Sequence, residues 1–214
     1  MSLPQQLAMA VRRPGGDPGL RSLALLHGAC CAGRFDAVPT LLELAASAGV
    51  TDVALLEACL QVVAYGGFPR AIEGLGLLAR QRRGPPPPPP PEPSPAAGRA
   101  TWDAIYREQA EEVLAGLAAV APGFPELVLD GAYRRILARE GLPLRERELL
   151  GVAALALMAL PAPLSSHVRG ALRNGSSPEA VIDILDTARA LATPEALPVI
   201  DQAVDRLSRN VYRP

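Results

Sequence analysis

Glu148 and His167 are the two residues whose types and positions are best suited to chemistry in this sequence. Glu148 lies near the start of a segment that becomes almost wholly apolar, and His167 follows nineteen residues later, at the start of the next predicted helix. A carboxylate at the edge of a buried face requires a cation or a hydrogen-bond donor, because burying it unpaired is costly. Histidine can be that donor, and imidazole is suited to proton transfer near neutral pH. From the residues alone, a Glu148–His167 pair is one of two interpretations. The alternative is a solvated Glu148 within the charged run 145–148.

Four further residues could bind a substrate beside this pair. Arg147 and Arg169 lie within two residues of it, and an arginine can hold a carboxylate through two parallel hydrogen bonds. Ser166 precedes His167, and Tyr65 is a candidate for a pocket wall from the first half of the chain. For the arginines the alternative is exposure to solvent. For Tyr65 it is packing at a helix end, where the next two glycines make a turn.

Helices must position these residues. Ala and Leu, which have high helix propensities, dominate a chain that is 49% apolar and 4% aromatic. No segment shows the sustained alternation that is typical of strands, so the predicted fold class is all-α. Predicted helices of the second half cover 102–120, 125–139, 144–160, a segment capped by Ser165 or Ser166 that ends at 174–175, and segments that begin at Ser176 and Thr193.

A proline tract at residues 84–98 divides the chain. It contains no core-forming residue, so it is expected to be an extended spacer or a disordered arm. The predicted organisation is therefore an N-terminal unit at 1–83, a proline-rich linker at 84–98 and a C-terminal unit at 99–214.

The two units align without a gap when the chain is shifted by 126 residues. Arg21 then falls on Arg147, and Glu57 falls on Asp183. The glycines at 49 and 175, which end helices, also coincide, and the helices that follow them agree in phase. The alignment predicts a tandem duplication in which the first copy lacks most of the segment corresponding to 101–140.

Two stretches resemble the carboxymuconolactone decarboxylase and alkylhydroperoxidase AhpD superfamily. The first contains Tyr-Gly-Gly-Phe-Pro at 65–69, and the second contains Arg-Glu at 147–148, Ser-His at 166–167, Ala-Leu at 171–172 and a glycine at 175. Together with their spacing, these motifs cover about two thirds of the chain. The resemblance implies an AhpD-like helical bundle in two tandem copies, with His167 and Glu148 as catalytic residues.

The departures from this superfamily concern its redox chemistry. AhpD has a Cys-x-x-Cys between the glutamate and the histidine, and here those positions hold Leu160 and Pro163. The corresponding positions of the first copy hold Arg34 and Ala37. None of these side chains can form the thiolate that reduces peroxides, so a thiol peroxidase is disfavoured. The cysteines at 30, 31 and 59 lie elsewhere and are expected to be buried, reduced small hydrophobes.

The two copies have also lost different parts of the family pattern. Ser22 and Leu41 stand where the second copy has Glu148 and His167, whereas only the first copy keeps the motif at 65–69. Either the first copy has become structural, or one composite pocket draws on both copies.

Composition excludes several other classes of protein. With 21 basic and 22 acidic residues, the chain has no electrostatic reason to bind nucleic acid or an anionic membrane. We expect a cytoplasmic protein, because no apolar run is long enough for a signal peptide or a membrane span. No residues have metal-ligand spacing and no glycine-rich loop could bind phosphate, so neither a metal nor another cofactor is expected.

Two functions remain open from the sequence. One is a cofactor-free decarboxylase or isomerase, a lyase-like enzyme that acts on a small carboxylated or lactone substrate through Glu148 and His167. The other is a non-catalytic helical scaffold or small-ligand-binding relative. In either case the resemblance implies a ring, and a duplicated chain would form it as a homotrimer.

Overall fold

The computed structural model describes residues 1–209, which are helical and contain no β-strand in that range. The prediction of an all-α fold is confirmed. The helices are α1 (Leu3–Arg12), α2 (Pro18–Ala32), α3 (Val38–Ser47), α4 (Asp52–Gln81), α5 (Pro95–Tyr106), α6 (Ala110–Val120), α7 (Phe124–Leu127), α8 (Leu144–Leu157), α9 (Pro161–Arg173), α10 (Pro178–Ala188) and α11 (Ala196–Ser208). A π-helix (Val128–Leu137) and two 3₁₀ turns (Arg107–Gln109 and Arg189–Leu191) complete the chain.

Three predicted helix starts were wrong. Helix α11 begins at Ala196, with Glu195 rather than Thr193 at its N-cap. Helix α9 begins at Pro161, so Ser165 and Ser166 lie inside it rather than at its cap. Proline is favoured in a first helical turn, where its missing N–H costs no hydrogen bond. Helix α10 is capped by Ser177, which accepts a hydrogen bond from the backbone N–H of Ala180 at 3.2 Å, and not by Ser176.

The segment at 99–139 is more broken than its apolar spacing indicated. The single helix predicted at 102–120 is divided into α5 and α6 at Arg107, whose φ of 49° is unusual for a residue with a side chain. The segment predicted at 125–139 is a short α7 followed by the π-helix. Trp102, Tyr106 and Tyr133 join these pieces in an aromatic cluster that has its own small core.

Helices α2 and α8 pack against each other at the centre of the molecule and are buried along most of their length. Gly28 of α2 permits the close approach, because a Cβ there would lie 2.8 Å from a methyl group of Leu157 on α8. The main hydrophobic core draws on both halves of the chain. Within residues 1–209, no helix has both the length and the apolar character that a membrane span requires.

The helix bounds of the first half recur in the second half at a shift of 126 residues. Helices α2 and α8 begin at Pro18 and Leu144, and α4 and α10 begin at Asp52 and Pro178. Helices α3 and α9 end at equivalent residues, 47 and 173. Helix α4 bends at Gly67, where φ is 78° and ψ is 171°, and the equivalent region separates α10 from α11.

The proline tract lies along the protein body rather than projecting from it. Residues 87, 90 and 93 are half-buried, whereas the others from 84 to 94 are exposed, which is the period of a polyproline helix. Glu92 forms ion pairs with Arg134 and Arg135 at 2.9 and 3.3 Å. The last four residues of the predicted linker, 95–98, form the first turn of α5.

Candidate functional site

Glu148 of α8 and His167 of α9 are brought together as a hydrogen-bonded pair. Nδ1 of His167 lies 3.1 Å from Oε2 of Glu148. The Glu148 side chain is completely buried, and the His167 side chain is 12% exposed. The other carboxylate oxygen, Oε1, has no hydrogen-bond partner among the described residues. A buried acceptor without a partner is costly, and such groups in native proteins call for a functional or structural explanation.

Tyr65 reaches the same pair from the first half of the chain. Its hydroxyl oxygen lies 3.4 Å from Nδ1 of His167, and the two ring centroids are 5.3 Å apart. Tyr65 is located on α4, which packs across α8. Burial raises the pKa of the Tyr65 hydroxyl well above its usual value, and the nearby Glu148 carboxylate raises it further, so the hydroxyl remains protonated.

His27 also packs against the Tyr65 ring. The two rings meet edge to face, with centroids 5.2 Å apart and planes at 87°. Nδ1 of His27 donates to the carbonyl oxygen of Ala58 at 3.0 Å, and Nε2 lies 3.7 Å from the sulfur of Cys31. Burial lowers the pKa of His27 to about 4, so this imidazole is neutral at physiological pH.

Two helical glycines make room for the polar side chains. A Cβ on Gly151 of α8 would lie 2.5 Å from the Tyr65 hydroxyl oxygen. A Cβ on Gly170 of α9 would overlap Oε2 of Glu148. Glycine in a helix costs about 1 kcal/mol relative to alanine, so its presence at both positions requires a packing reason. The arrangement of Tyr65 and Glu148 provides that reason.

Arg147 is placed apart from this pair and is occupied by protein groups. It is fully buried, and its Nη2 contacts Oε2 of Glu57 at 2.9 Å and the carbonyl oxygen of Arg139 at 2.9 Å. Its Nη1 donates to Oε1 of Gln61 at 3.2 Å. Glu57 also receives hydrogen bonds from the Arg139 side chain, the shortest of them 2.7 Å.

Ser166 and Arg169 line a cleft of about 270 Å³ between α9 and the α5–α6 region. Nη2 of Arg169 donates to Oγ of Ser166 at 3.3 Å, and within residues 1–209 Arg169 forms no ion pair. The lining also includes Ile105, which packs against Gly170 close to Glu148. Glu148 and His167 are not among the lining residues, so the cleft lies beside the pair rather than over it.

Comparison with known families places this pair in a defined segment. Residues 122–205 match the model of the carboxymuconolactone decarboxylase family. The matched segment contains Glu148, His167, Ser166 and Arg169, whereas Tyr65 and His27 lie outside it. A search of curated proteins found no match to the chain.

The matched segment, residues 122–205, contains no cysteine, and the chain's three cysteines are free and buried in the first half. Burial raises the pKa of the Cys31 thiol far above its usual range, and a hydrogen bond with Cys30 and burial raise that of Cys59. Residues 1–209 contain no group of His, Cys, Asp or Glu side chains that could hold a metal ion.

Sequence reasoning missed three contributors to the site. The sequence favours only a polar or packing role for His27 in the first helix, because Ala153 stands at the equivalent position of the second copy. Gly151 and Gly170 are the other two, and isolated glycines inside helical patterns indicate close packing. The sequence did contain that signal, but it could not indicate which side chain each glycine accommodates.

Proposed function

We propose that the protein is a carboxymuconolactone decarboxylase-like enzyme that needs no cofactor. Its substrate would be a small carboxylated molecule or a lactone, and its reaction a decarboxylation or an isomerisation. The proposal rests on one observation above all, the hydrogen bond between His167 and the buried Glu148. A carboxylate that fixes an imidazole is a recurrent arrangement for proton transfer.

The chemistry follows from the orientation of the imidazole. When Nδ1–H donates to Glu148, Nε2 is the nitrogen that exchanges protons with a substrate. In a decarboxylation, the electrons of the breaking carbon–carbon bond remain on the substrate carbon as CO₂ departs. Protonated His167 would then deliver a proton from Nε2 to that carbon and recover one from water. In an isomerisation, Nε2 would remove a proton from one atom and return it to another.

Arg169 is the better candidate for holding a substrate carboxylate. Arg169 lines the cleft and forms no ion pair among the described residues, whereas Arg147 pairs with Glu57 and donates a hydrogen bond to Gln61. We therefore assign substrate binding to Arg169 and Ser166, and a structural role to Arg147. Arginine suits this task because its planar group binds a carboxylate through two hydrogen bonds.

The alternative function is a non-catalytic scaffold or a small-ligand-binding protein. Complete burial of Glu148 and the lateral position of the cleft favour it, because neither gives a substrate direct access to the carboxylate. Under this alternative the cleft would bind a ligand that is not converted.

One set of variants tests the enzymatic proposal. Small carboxylates and lactones would be screened with the full chain for CO₂ release and for loss of lactone absorbance. With an active substrate, His167→Ala should abolish turnover and Glu148→Gln should reduce it about 100-fold or more, because general acid–base catalysis typically contributes that much. Glu43→Gln, on the exposed face of α3, is the matched control and should retain full activity.

Full activity of His167→Ala would exclude the proposed proton transfer. Binding of a carboxylate that Arg169→Gln abolishes, without conversion by the unmodified protein, would support the ligand-binding alternative instead.

We also propose that the chain is a tandem duplication lacking the Cys-x-x-Cys of AhpD. The helix bounds that recur at a shift of 126 residues support this proposal. Two equivalent ion pairs support it independently. Arg147 contacts Glu57, and its counterpart Arg21 contacts Asp183, the counterpart of Glu57, at 2.6 Å. Each arginine thus pairs with an acid from the other half, as a pseudo-twofold relation between equivalent copies requires.

A further inference from the structure

The polar cluster has a counterpart elsewhere in the molecule. We define the polar cluster as Glu148, Gly151, His167, Gly170 and Tyr65. The shift of 126 residues relates every member of the polar cluster to a residue of the other half. The equivalents are Ser22, Leu25, Leu41, Leu44 and Leu191. Four of the five are leucines, so the two equivalent positions of the fold differ sharply in chemistry.

The counterpart is a filled piece of hydrophobic core. Its four leucines are at most 6% exposed and belong to the main core cluster. Ser22 is fully buried, and its hydroxyl donates to the carbonyl oxygen of Pro18 at 2.7 Å within its own helix. In the counterpart, leucines stand at the positions of both glycines. The space that the glycines leave open in the polar cluster is therefore filled by leucine side chains in the counterpart.

The topology explains why Tyr65 and His167 come from different halves. Helix α4 of the first half packs across α8 of the second half, and α10 reciprocally packs across α2. The part of α4 just before its bend at Gly67 therefore lies at the site of the second half, and the turn that follows α10 lies at the equivalent place of the first half. Tyr65 accompanies Glu148 and His167, whereas its equivalent Leu191 belongs to the apolar counterpart.

From this arrangement we propose that Tyr65 is a positioning residue for His167. Each chain then contains one polar site, built from both halves, and the equivalent second site is filled by apolar side chains. The inference rests on the proposed proton-transfer role of His167. The Tyr65 hydroxyl oxygen lies 3.4 Å from the same Nδ1 atom that faces Glu148, and it limits rotation of the imidazole away from the carboxylate.

The environment of Tyr65 is built to hold its hydroxyl in place. His27 packs against its ring, and the hydrogen bond from His27 to the Ala58 carbonyl fixes that support. Gly151 opens the space that the hydroxyl occupies. A residue that only filled the core would need neither the hydroxyl nor the glycine, and leucine at the equivalent position shows that the fold accepts an apolar side chain there.

The two histidines of the chain allow a direct test by nitrogen NMR on the full-length protein. Ring ¹⁵N resonances of His167 and His27 would be assigned and compared at one pH in two variants. Tyr65→Phe removes the hydroxyl and keeps the ring, and Gly151→Ala displaces the hydroxyl while removing no polar group. Both should shift the Nδ1 resonance of His167 in the same direction and increase the fraction of the other tautomer.

Two matched controls separate this effect from general disturbance. Tyr133→Phe removes a buried hydroxyl that bonds to Tyr106 instead, and Gly116→Ala adds a methyl group that meets no atom within 4 Å. Neither should move the His167 resonances. If Tyr65→Phe folds normally and leaves the His167 ring signals unchanged, Tyr65 does not position His167.

The outcomes for Tyr65 and for the proposed function are distinguishable. Loss of the NMR effect would overturn the role of Tyr65 even if His167→Ala abolished turnover. Retained turnover in His167→Ala would overturn the proposed chemistry even if Tyr65→Phe shifted the His167 signals. Should Gly151→Ala fail to fold, Tyr65→Phe alone decides the question, because it adds no atom to the core.

Discussion

His27 shows how strongly burial can act on a single titratable group. It is completely buried in α2, and desolvation is the main cause of its lowered pKa of about 4. In the unfolded chain the same imidazole would titrate near its ordinary value of 6.5. Folding therefore requires His27 to be neutral, which couples stability to pH.

We predict that acid destabilises the protein through His27. As pH falls from 6.5 to 4, the unfolded chain binds a proton that the folded state does not, so the free energy of unfolding decreases. The loss should reach about 3 kcal/mol near pH 4, and none of it should occur above pH 7. Urea denaturation of the unmodified protein and of His27→Asn at pH 7 and pH 4.5 measures this contribution.

His27→Asn retains a hydrogen-bond donor toward Ala58 but cannot titrate. Its stability should therefore depend less on pH than that of the unmodified protein over this range. Parallel pH dependences in the two proteins would show that His27 is not responsible.

The cysteines are the second residue-scale feature with a consequence for function. All three are buried, and the pKa values of Cys31 and Cys59 are raised, so little thiolate forms at neutral pH. We predict no peroxide turnover with dithiothreitol as reductant above the rate in buffer alone. Turnover that disappears in Cys31→Ser would contradict this prediction.

At the scale of helices, two equivalent ion pairs, Arg147–Glu57 and Arg21–Asp183, join the two halves of the chain. They differ in the burial of the acidic partner. Glu57 is 1% exposed and neutralises Arg147, which is fully buried. Asp183 is 22% exposed, and its partner Arg21 also donates to the carbonyl oxygens of Val11, Arg13 and Gly15. Loss of the acid should therefore be more harmful at Glu57 than at Asp183.

We predict that Glu57→Gln lowers the free energy of unfolding by about 3–5 kcal/mol, because it leaves a buried guanidinium without its charge partner. Asp183→Asn, the equivalent substitution, should cost roughly 1 kcal/mol, since Asp183 is partly exposed and three backbone carbonyl oxygens still accept hydrogen bonds from Arg21. Urea denaturation of both variants gives the comparison. Equal losses would mean that the burial of Glu57 does not control the strength of its pair.

At the scale of the whole molecule, several large apolar side chains remain on the surface. Phe68, Ile72, Val120 and Leu127 are 66–85% exposed. Surface apolar groups of this size are often covered by association. Their exposure supports the expectation of a ring of three chains.

We predict a homotrimer in solution at micromolar concentration. Light scattering should give a mass about three times the 22.4 kDa of one chain. A mass equal to that of one chain would exclude association, and twice that mass would exclude a three-chain ring while leaving the duplication unaffected.

The sequence predicted the helical fold well and parts of the site well. Ala and Leu content, glycine stops and proline positions indicated most helices, because these are local effects. The start of α9 was misplaced, since serines were considered as caps where Pro161 already suits a first turn. The break at Arg107 is not evident from the sequence, because no glycine, proline or asparagine marks it.

The sequence by itself determined the all-α class and most helix segments, because helix propensity and the glycine and proline signals at helix ends are local. It also placed Glu148 and His167 as candidates for a pair. Only the tertiary structure decided that Tyr65, 102 residues from His167, reaches the same nitrogen, and that Arg147 faces Glu57 rather than the cleft. The physical reason is the range of the interactions. Backbone hydrogen bonds within a helix join residues four apart, whereas the crossing of α4 over α8 depends on the packing of the whole core.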